Sequence, residues 1–250
     1  ILINEKNIDI ETTLKDPIKN IKVKKSKENK IFFEYVKFLG SKNNEKGPLL
    51  EKRKKLDVKT QTEEIKKLDE RIIKVDKSVL NYQKNLAKKH NKMLVGKLVG
   101  MVIEIDVPEP SQAVEDTKQF KFEYYKNHFF DNLDLSDDRL GRTVLFHNQM
   151  ETYFTKIIPQ IPDSIIKRID PFMSQLKPNG TMMKYAIEYL TYTHVRTKIM
   201  GMDAIYVHMA DTYIISGKCN WIGKDKIAKI KPKVDKLRPV LIGKIAPNII

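Results

Sequence analysis

Between Ile65 and Leu86 an apolar residue recurs in alternating steps of three and four: Ile65, Leu68, Ile72, Val75, Val79, Tyr82 and Leu86. Charged residues fill nearly everything between them. A strand needs a period of two, so this spacing predicts an α-helix with one apolar stripe. A two-in-seven stripe is too narrow for a helix buried in a core and suits a helix–helix seam. The nearest partner is the preceding segment. There Ser26-Lys27-Glu28-Asn29 offers an N-cap, and Ile31, Phe32, Tyr35, Phe38 and Leu39 follow at helical spacing. Leu49, Leu50 and Leu56 extend that arm beyond Gly47-Pro48, a dipeptide that predicts a break or kink. Folded back as an antiparallel hairpin, the two arms cover each other. A coiled coil between two chains, and so a homodimer, is the alternative.

The segments around this hairpin read more coarsely. In 1–25, Ile8, Ile10 and Thr12, then Ile21 and Val23, recur at period two around Pro17 and Asn20. These predict two short strands at the end of an N-terminal β-domain, because two strands alone are marginal. The hairpin region covers 26–106 and closes with a short apolar helix over 94–105. Pro108-Glu109-Pro110 is a stiff linker, taken as 107–112. A multi-helix domain follows over 113–238, with helices expected at 113–130, 144–158, from Pro162, 181–197, 203–215 and 226–237. Phe120 and Tyr124 fall on one helical face and are expected to enter its core. The ends, Ile1-Leu2-Ile3 and Pro247-Asn248-Ile249-Ile250, carry neither caps nor polar tails and read as cuts through a longer polypeptide. The expected class is mainly α.

The formal net charge is +15, mostly from Lys interspersed with Glu and Asp, while Arg is scarce. Arg is the residue for bidentate phosphate recognition. Mixed Lys and Glu is how a solvated helix face looks, although a basic hairpin binding an anionic ligand is the second reading. No run approaches the ~18 apolar residues of a membrane span. One cysteine, Cys219, excludes an internal disulfide and a C-x-x-C pair.

Candidate chemistry is sparse. His90, His128, His147, His194 and His208 lack metal-ligand spacing, and Asp211 stands three residues after His208 as a partner for its ring. Asp134, Asp137 and Asp138 cluster in one loop without the Gly and Glu of a calcium loop, so capping is the better account. A hydrolase using Asp134, Asp137 or His208 is the weakest reading. Cys219 follows Lys218, the only nearby positive charge to activate a thiol. The interleaved Phe120-Lys121-Phe122-Glu123-Tyr124-Tyr125-Lys126 would spread its aromatics around a helix, which argues against nucleic-acid stacking. No catalytic, cofactor-binding or metal-binding residue is assigned, no cofactor is expected, and the fragment is read as not an enzyme.

Three phrases carry a resemblance: Y-K-N-H-F-F-D-N-L-D-L-S-D-D-R-L over 125–140, Pro162-Asp163-Ser164-Ile165-Ile166, and K-I-M-G-M-D-A-I-Y-V-H-M-A-D over 198–211. Together with Trp221 they resemble an uncharacterised helical domain found ahead of thioredoxin-like domains in envelope proteins of Bacteroidetes. Leu241-Ile242-Gly243-Lys244-Ile245-Ala246-Pro247-Asn248 looks like the opening strand of such a redoxin or thioredoxin-like domain, placed at 239–250. The resemblance implies an exported parent, often a lipoprotein, in the periplasm or cell envelope, acting as a thiol–disulfide oxidoreductase. This chain would be its accessory region. It would position or dimerise its own C-terminal thioredoxin-like domain, or recognise client protein thiols. The C-x-x-C itself would lie beyond Ile250.

Overall fold

The computed structural model describes residues 1–111 and 115–245. These form two compact units, Ile1–Glu104 and Ile105–Ile250. In the first, β1 (Asp9–Glu11) and β2 (Lys22–Lys25) pair antiparallel with Ile10 opposite Val23. The helices are α1 (Lys27–Lys54), α2 (Thr62–Lys89) and α3 (Leu94–Met101).

The apolar stripe of α2 meets α1 as an antiparallel hairpin. Leu68, Val75 and Leu86 are buried, and Tyr82 stacks on Phe38 with ring centroids 4.0 Å apart. Lys46 bonds Asp76 at 2.6 Å and Lys52 bonds Glu64 at 2.8 Å, while Arg53 pairs with Asp69. Exposed pairs like these contribute about 0–1 kcal/mol each, so the seam holds the hairpin and the charges set its register.

Gly47-Pro48 does not interrupt α1, contrary to the expectation from the sequence. An interior proline frees the carbonyl four residues back. Here that residue is Asn44, which is exposed, so its carbonyl is open to solvent, while Leu49 beside the proline is buried.

A polar knot closes the first unit. Ser26 caps α1 by accepting from the Asn29 amide at 3.0 Å, and Glu5 accepts from Ser26 Oγ and from the Lys27 amide. Asn29, fully buried, exchanges two bonds of 2.8 Å with the backbone of Leu2. Glu28, also buried, accepts the first amides of α3 from Leu94 at 3.1 Å and Val95 at 2.9 Å. A carboxylate suits a helix N-terminus, where free amides and the helix dipole both favour negative charge.

The second unit holds α4 (Thr117–His128), a 3-10 turn (Asp138–Arg142), α5 (Val144–Thr152) and a π-helical turn (Tyr153–Ile157). It continues with α6 (Pro162–Ser174), α7 (Thr181–Val195), α8 (Asp203–Met209), a second π-helical turn (Ala210–Ile215) and α9 (Lys224–Leu237). Phe146, Phe154, Ile165, Ile169, Ile187, Leu190 and Ile205 are its fully buried centre. Tyr153 and Phe172 each pack edge to face on Phe154, and Phe130 lies tilted against both of them.

Two further expectations need correction. Phe120 and Tyr124 do not enter the core: α4 has no buried residue, Phe120 lies tilted toward Tyr124, and Tyr124 stacks on His128. The expected start of that helix at 113 lies outside the described residues. The apolar helix over 94–105 ends at Met101.

The fold is mainly α with an N-terminal β-hairpin, but the expected C-terminal strand of a thioredoxin-like domain is absent among the described residues. After α9 the chain makes a 3-10 turn (Arg238–Val240) and then a turn closed by Lys244 N–H to Leu241 O at 3.0 Å. Gly243 takes φ +85 there, a left-handed conformation that reverses the chain where a strand needs extended backbone. Ala246, Pro247 and Asn248 lie outside the described residues.

Candidate functional site

The second unit carries an apolar groove between α7 and α9, floored by α8 and the second π-helical turn, with a volume of about 600 Å³. On α7, Tyr185, Tyr189 and Tyr192 recur at steps of four and three, so all three fall on the side that lines it. Tyr206 of α8, Ile214 of the π-helical turn, Ile222, and Lys226 and Ile230 of α9 also line it. Tyr206 belongs to the small core that seats α9 through the fully buried Val234. The groove is thus a shaped gap between packed elements.

Its polar groups are few. Glu188 and Lys226 line it without an ion pair. The Arg196 guanidinium lies 4.2 Å from the ring centre of Tyr192, and Lys233 lies 5.3 Å from that of Tyr206. Burial, with the nearby Glu151 carboxylate, holds the phenols of Tyr185 and Tyr189 above their usual range, so both stay protonated donors. His147 of α5 bonds the Tyr185 hydroxyl and meets Tyr189 edge-on, bracing that wall. Thr191 Oγ1 is a buried lining atom with no hydrogen-bond partner. Trp221, next to the lining residue Ile222, lies under Lys184.

A second polar cluster joins α6, α8 and the π-helical turn. His208 Nε2 lies 2.9 Å from Asp170 Oδ1, and the Tyr213 hydroxyl donates to the same oxygen at 2.6 Å. Burial pushes the Asp170 carboxyl up, and the bonds from Tyr213 and His208 more than reverse it, leaving it below the usual carboxylate range. Thr212 Oγ1 is 3.5 Å from His208 Nδ1, too long to activate a hydroxyl. The cluster ties three elements together. Asp211, the partner expected for His208, instead pairs with Arg238 at 2.7 Å.

The other residues singled out in the sequence are scattered. His90 ends α2, His128 bonds Asp131 at 2.7 Å, and buried His194 bonds the Leu190 carbonyl at 2.7 Å. Asp134 accepts from Ser136, and Asp137 caps the 3-10 turn and pairs with Arg139. Asp138 accepts the first amides of α7, from Thr181 at 2.6 Å and Met182 at 2.8 Å. Burial raises its carboxyl, but those amides win and hold it below the usual range. Among the described residues, no group of three or more His, Cys, Asp or Glu could hold a metal ion. No described helix is long and apolar enough to cross a membrane.

The family model described as "Domain of unknown function (DUF5106)" matches residues 80–236. The chain belongs to this family. The match runs from the last turns of α2 to the end of α9 and includes the whole groove. Among curated proteins and among solved structures, no match to the chain is found. Neither the groove tyrosines nor Asp170 stood out in the sequence. The Tyr185, Tyr189, Tyr192 spacing was the available signal, but it is also that of an ordinary core face.

Proposed function

We propose that the chain is a non-catalytic accessory region that binds an apolar ligand in the groove between α7 and α9. The groove itself carries this reading: it is concave, lined by tyrosine and isoleucine, and within the ~300–1,000 Å³ range of small-molecule sites. The parent would be an exported thiol–disulfide oxidoreductase of the cell envelope, supported by the sequence phrases at 125–140, 162–166 and 198–211. In that setting the region positions the redox partner or recognises its clients, while the thiol chemistry lies elsewhere. Cys219 fits this division: it is buried, and burial pushes its thiol up to about 11.

The test uses the neutral probe N-phenyl-1-naphthylamine with the full chain. Its fluorescence is expected to rise saturably, and Tyr189→Ala is expected to weaken binding with the helical circular dichroism unchanged. No saturable signal in the wild type removes the reading. Insulin reduction by the chain is expected to be nil, and turnover that survives Cys219→Ser overturns the non-catalytic assignment.

One observation favours a second site. Residues 1–104 hold 26 Lys and Arg against 15 Asp and Glu, so +11 of the +15 lies in the first unit. Glu64, Asp69 and Asp76 of α2 are occupied by cations of α1, which leaves the lysines of α2 in excess on its surface. Heparin binding that weakens steeply with salt is the expected outcome for an anion-binding hairpin. A flat salt response removes it.

A further inference from the structure

We infer that the groove's ligand is a small amphipathic monoanion, an apolar body ending in a carboxylate, with the head placed at Lys226. The inference rests on the groove being a binding site and adds the chemistry of its occupant.

Size sets the class. A volume of about 600 Å³ holds a small molecule, whereas a stable protein partner needs roughly 800 Å² of surface from each side. Charge sets the head group. Lys226 lines the groove without an ion pair, and Arg196 and Lys233 sit over the rings of two lining tyrosines. In the lining itself Lys226 faces one carboxylate, Glu188, and with the neighbours counted three cations stand against Glu188 and the Glu151 beside Tyr185 and Tyr189. A compact ammonium such as Lys226 suits a monoanion better than a phosphate, which favours the planar fork of arginine.

The third observation is Thr191. Its hydroxyl is buried in the groove wall and unpartnered, and a buried polar atom is normally satisfied by protein, water or ligand. A carboxylate brings two acceptor oxygens to a lining that otherwise offers mainly tyrosine rings and aliphatic carbon. Glu188, three residues before Thr191 on α7, repels the same head, and Lys226 on α9 offsets that repulsion.

Calorimetric titration of the full chain distinguishes the possibilities. Trp221 fluorescence serves as a second readout, because this single tryptophan adjoins the lining residue Ile222. The probes are dodecanoate, dodecanol and dodecyltrimethylammonium, each below micelle formation. Dodecanoate is expected to bind one to one and at least about tenfold tighter than the cationic probe, the factor expected for one charge-assisted hydrogen bond. Lys226→Glu, an exposed position, is expected to weaken dodecanoate about tenfold and leave dodecanol unchanged. Glu188→Gln is expected to tighten dodecanoate. Equal affinity for the carboxylate and the cation, or a dodecanoate affinity untouched by Lys226→Glu, overturns the inference while leaving the groove a binding site. Failure of all three probes to bind overturns both.

Discussion

Glu28, in the first turn of α1, holds the N-terminus of α3 by accepting the Leu94 amide at 3.1 Å. The two residues are 66 apart in sequence. The same carboxylate accepts from Val95 at 2.9 Å and from Asn4 Nδ2 at 2.7 Å, so one buried side chain fixes three segments. Glu28→Ala leaves two helix-terminal amides and an asparagine without their acceptor. Hydrogen bonds to a charged group contribute roughly 1.5–3 kcal/mol each, and losses at one site are not additive. We expect a destabilisation of about 3 kcal/mol, and about half that for Glu28→Gln, which keeps an acceptor oxygen. Hydrogen exchange at Leu94 and Val95 is the measurement. Unchanged protection in Glu28→Ala would show that the carboxylate does not hold α3.

Gly96 gives a prediction of opposite sign to the usual rule. In an exposed helix interior, Gly→Ala stabilises by about 1 kcal/mol. A Cβ built on Gly96 would lie 2.1 Å from the His90 carbonyl oxygen, which is backbone and cannot swing away. The turn between α2 and α3 therefore has to open to admit a methyl group. Gly96→Ala is expected to destabilise the first unit by about 2 kcal/mol, within the range for overpacked sites. Gly40 has nothing within 4 Å of an added Cβ, so Gly40→Ala serves as the control and is expected to stabilise. Urea unfolding of both variants reads the contrast. Equal midpoints would sink the packing argument.

These two glycines also show what was legible in the sequence. The seam from Ile65 to Leu86 was readable because a helix sorts residues by a fixed period, and seven positions in register leave little choice. Gly96 carries no such signal, since its constraint comes from the carbonyl of a residue on another element. Pro48 misled because local propensity marks a break, while the seam on either side of it favours continuity. The C-terminal strand failed for a related reason: Leu241 and Ile242 have strand character, but a strand also needs a neighbour and extended backbone, and Gly243 turns the chain instead. The groove was hidden because α7, α8 and α9 contribute separately and only their packing brings Tyr189, Tyr206 and Ile230 to one surface.

His194 makes the second unit sensitive to acid. Burial pushes its ring below the usual 6.5, and the bond to the Leu190 carbonyl only partly opposes this. In the unfolded chain the imidazole regains its ordinary affinity for a proton. The unfolded state thus binds more protons as pH falls below about 6.5, and stability drops. The contribution of His194 is fully present above that value and is lost as pH falls through the depressed folded value. Thermal unfolding between pH 7.5 and 5 is expected to show a falling midpoint, and His194→Leu is expected to flatten part of that fall. An identical pH slope in the variant would assign the acid sensitivity to other groups.

Cys219 tests whether the only thiol of the chain is available for exchange. It is 2% exposed, and burial pushes its thiol up to about 11, so at pH 8 the thiolate fraction is on the order of one in a thousand. Access and ionisation act in the same direction, and only opening of the surrounding helices relieves both. Ellman's reagent is expected to react with Cys219 slowly in the folded chain and rapidly in concentrated guanidinium chloride. The rate in the folded chain should rise in any variant that loosens the second unit, because the reaction then reports the population of open molecules. Cys219→Ala is expected to cost about 1 kcal/mol through lost packing, and Cys219→Ser more, because a buried hydroxyl without a partner adds its own desolvation penalty. Rapid labelling of the folded chain at pH 8 would place the thiol at the surface and reopen it as a redox partner.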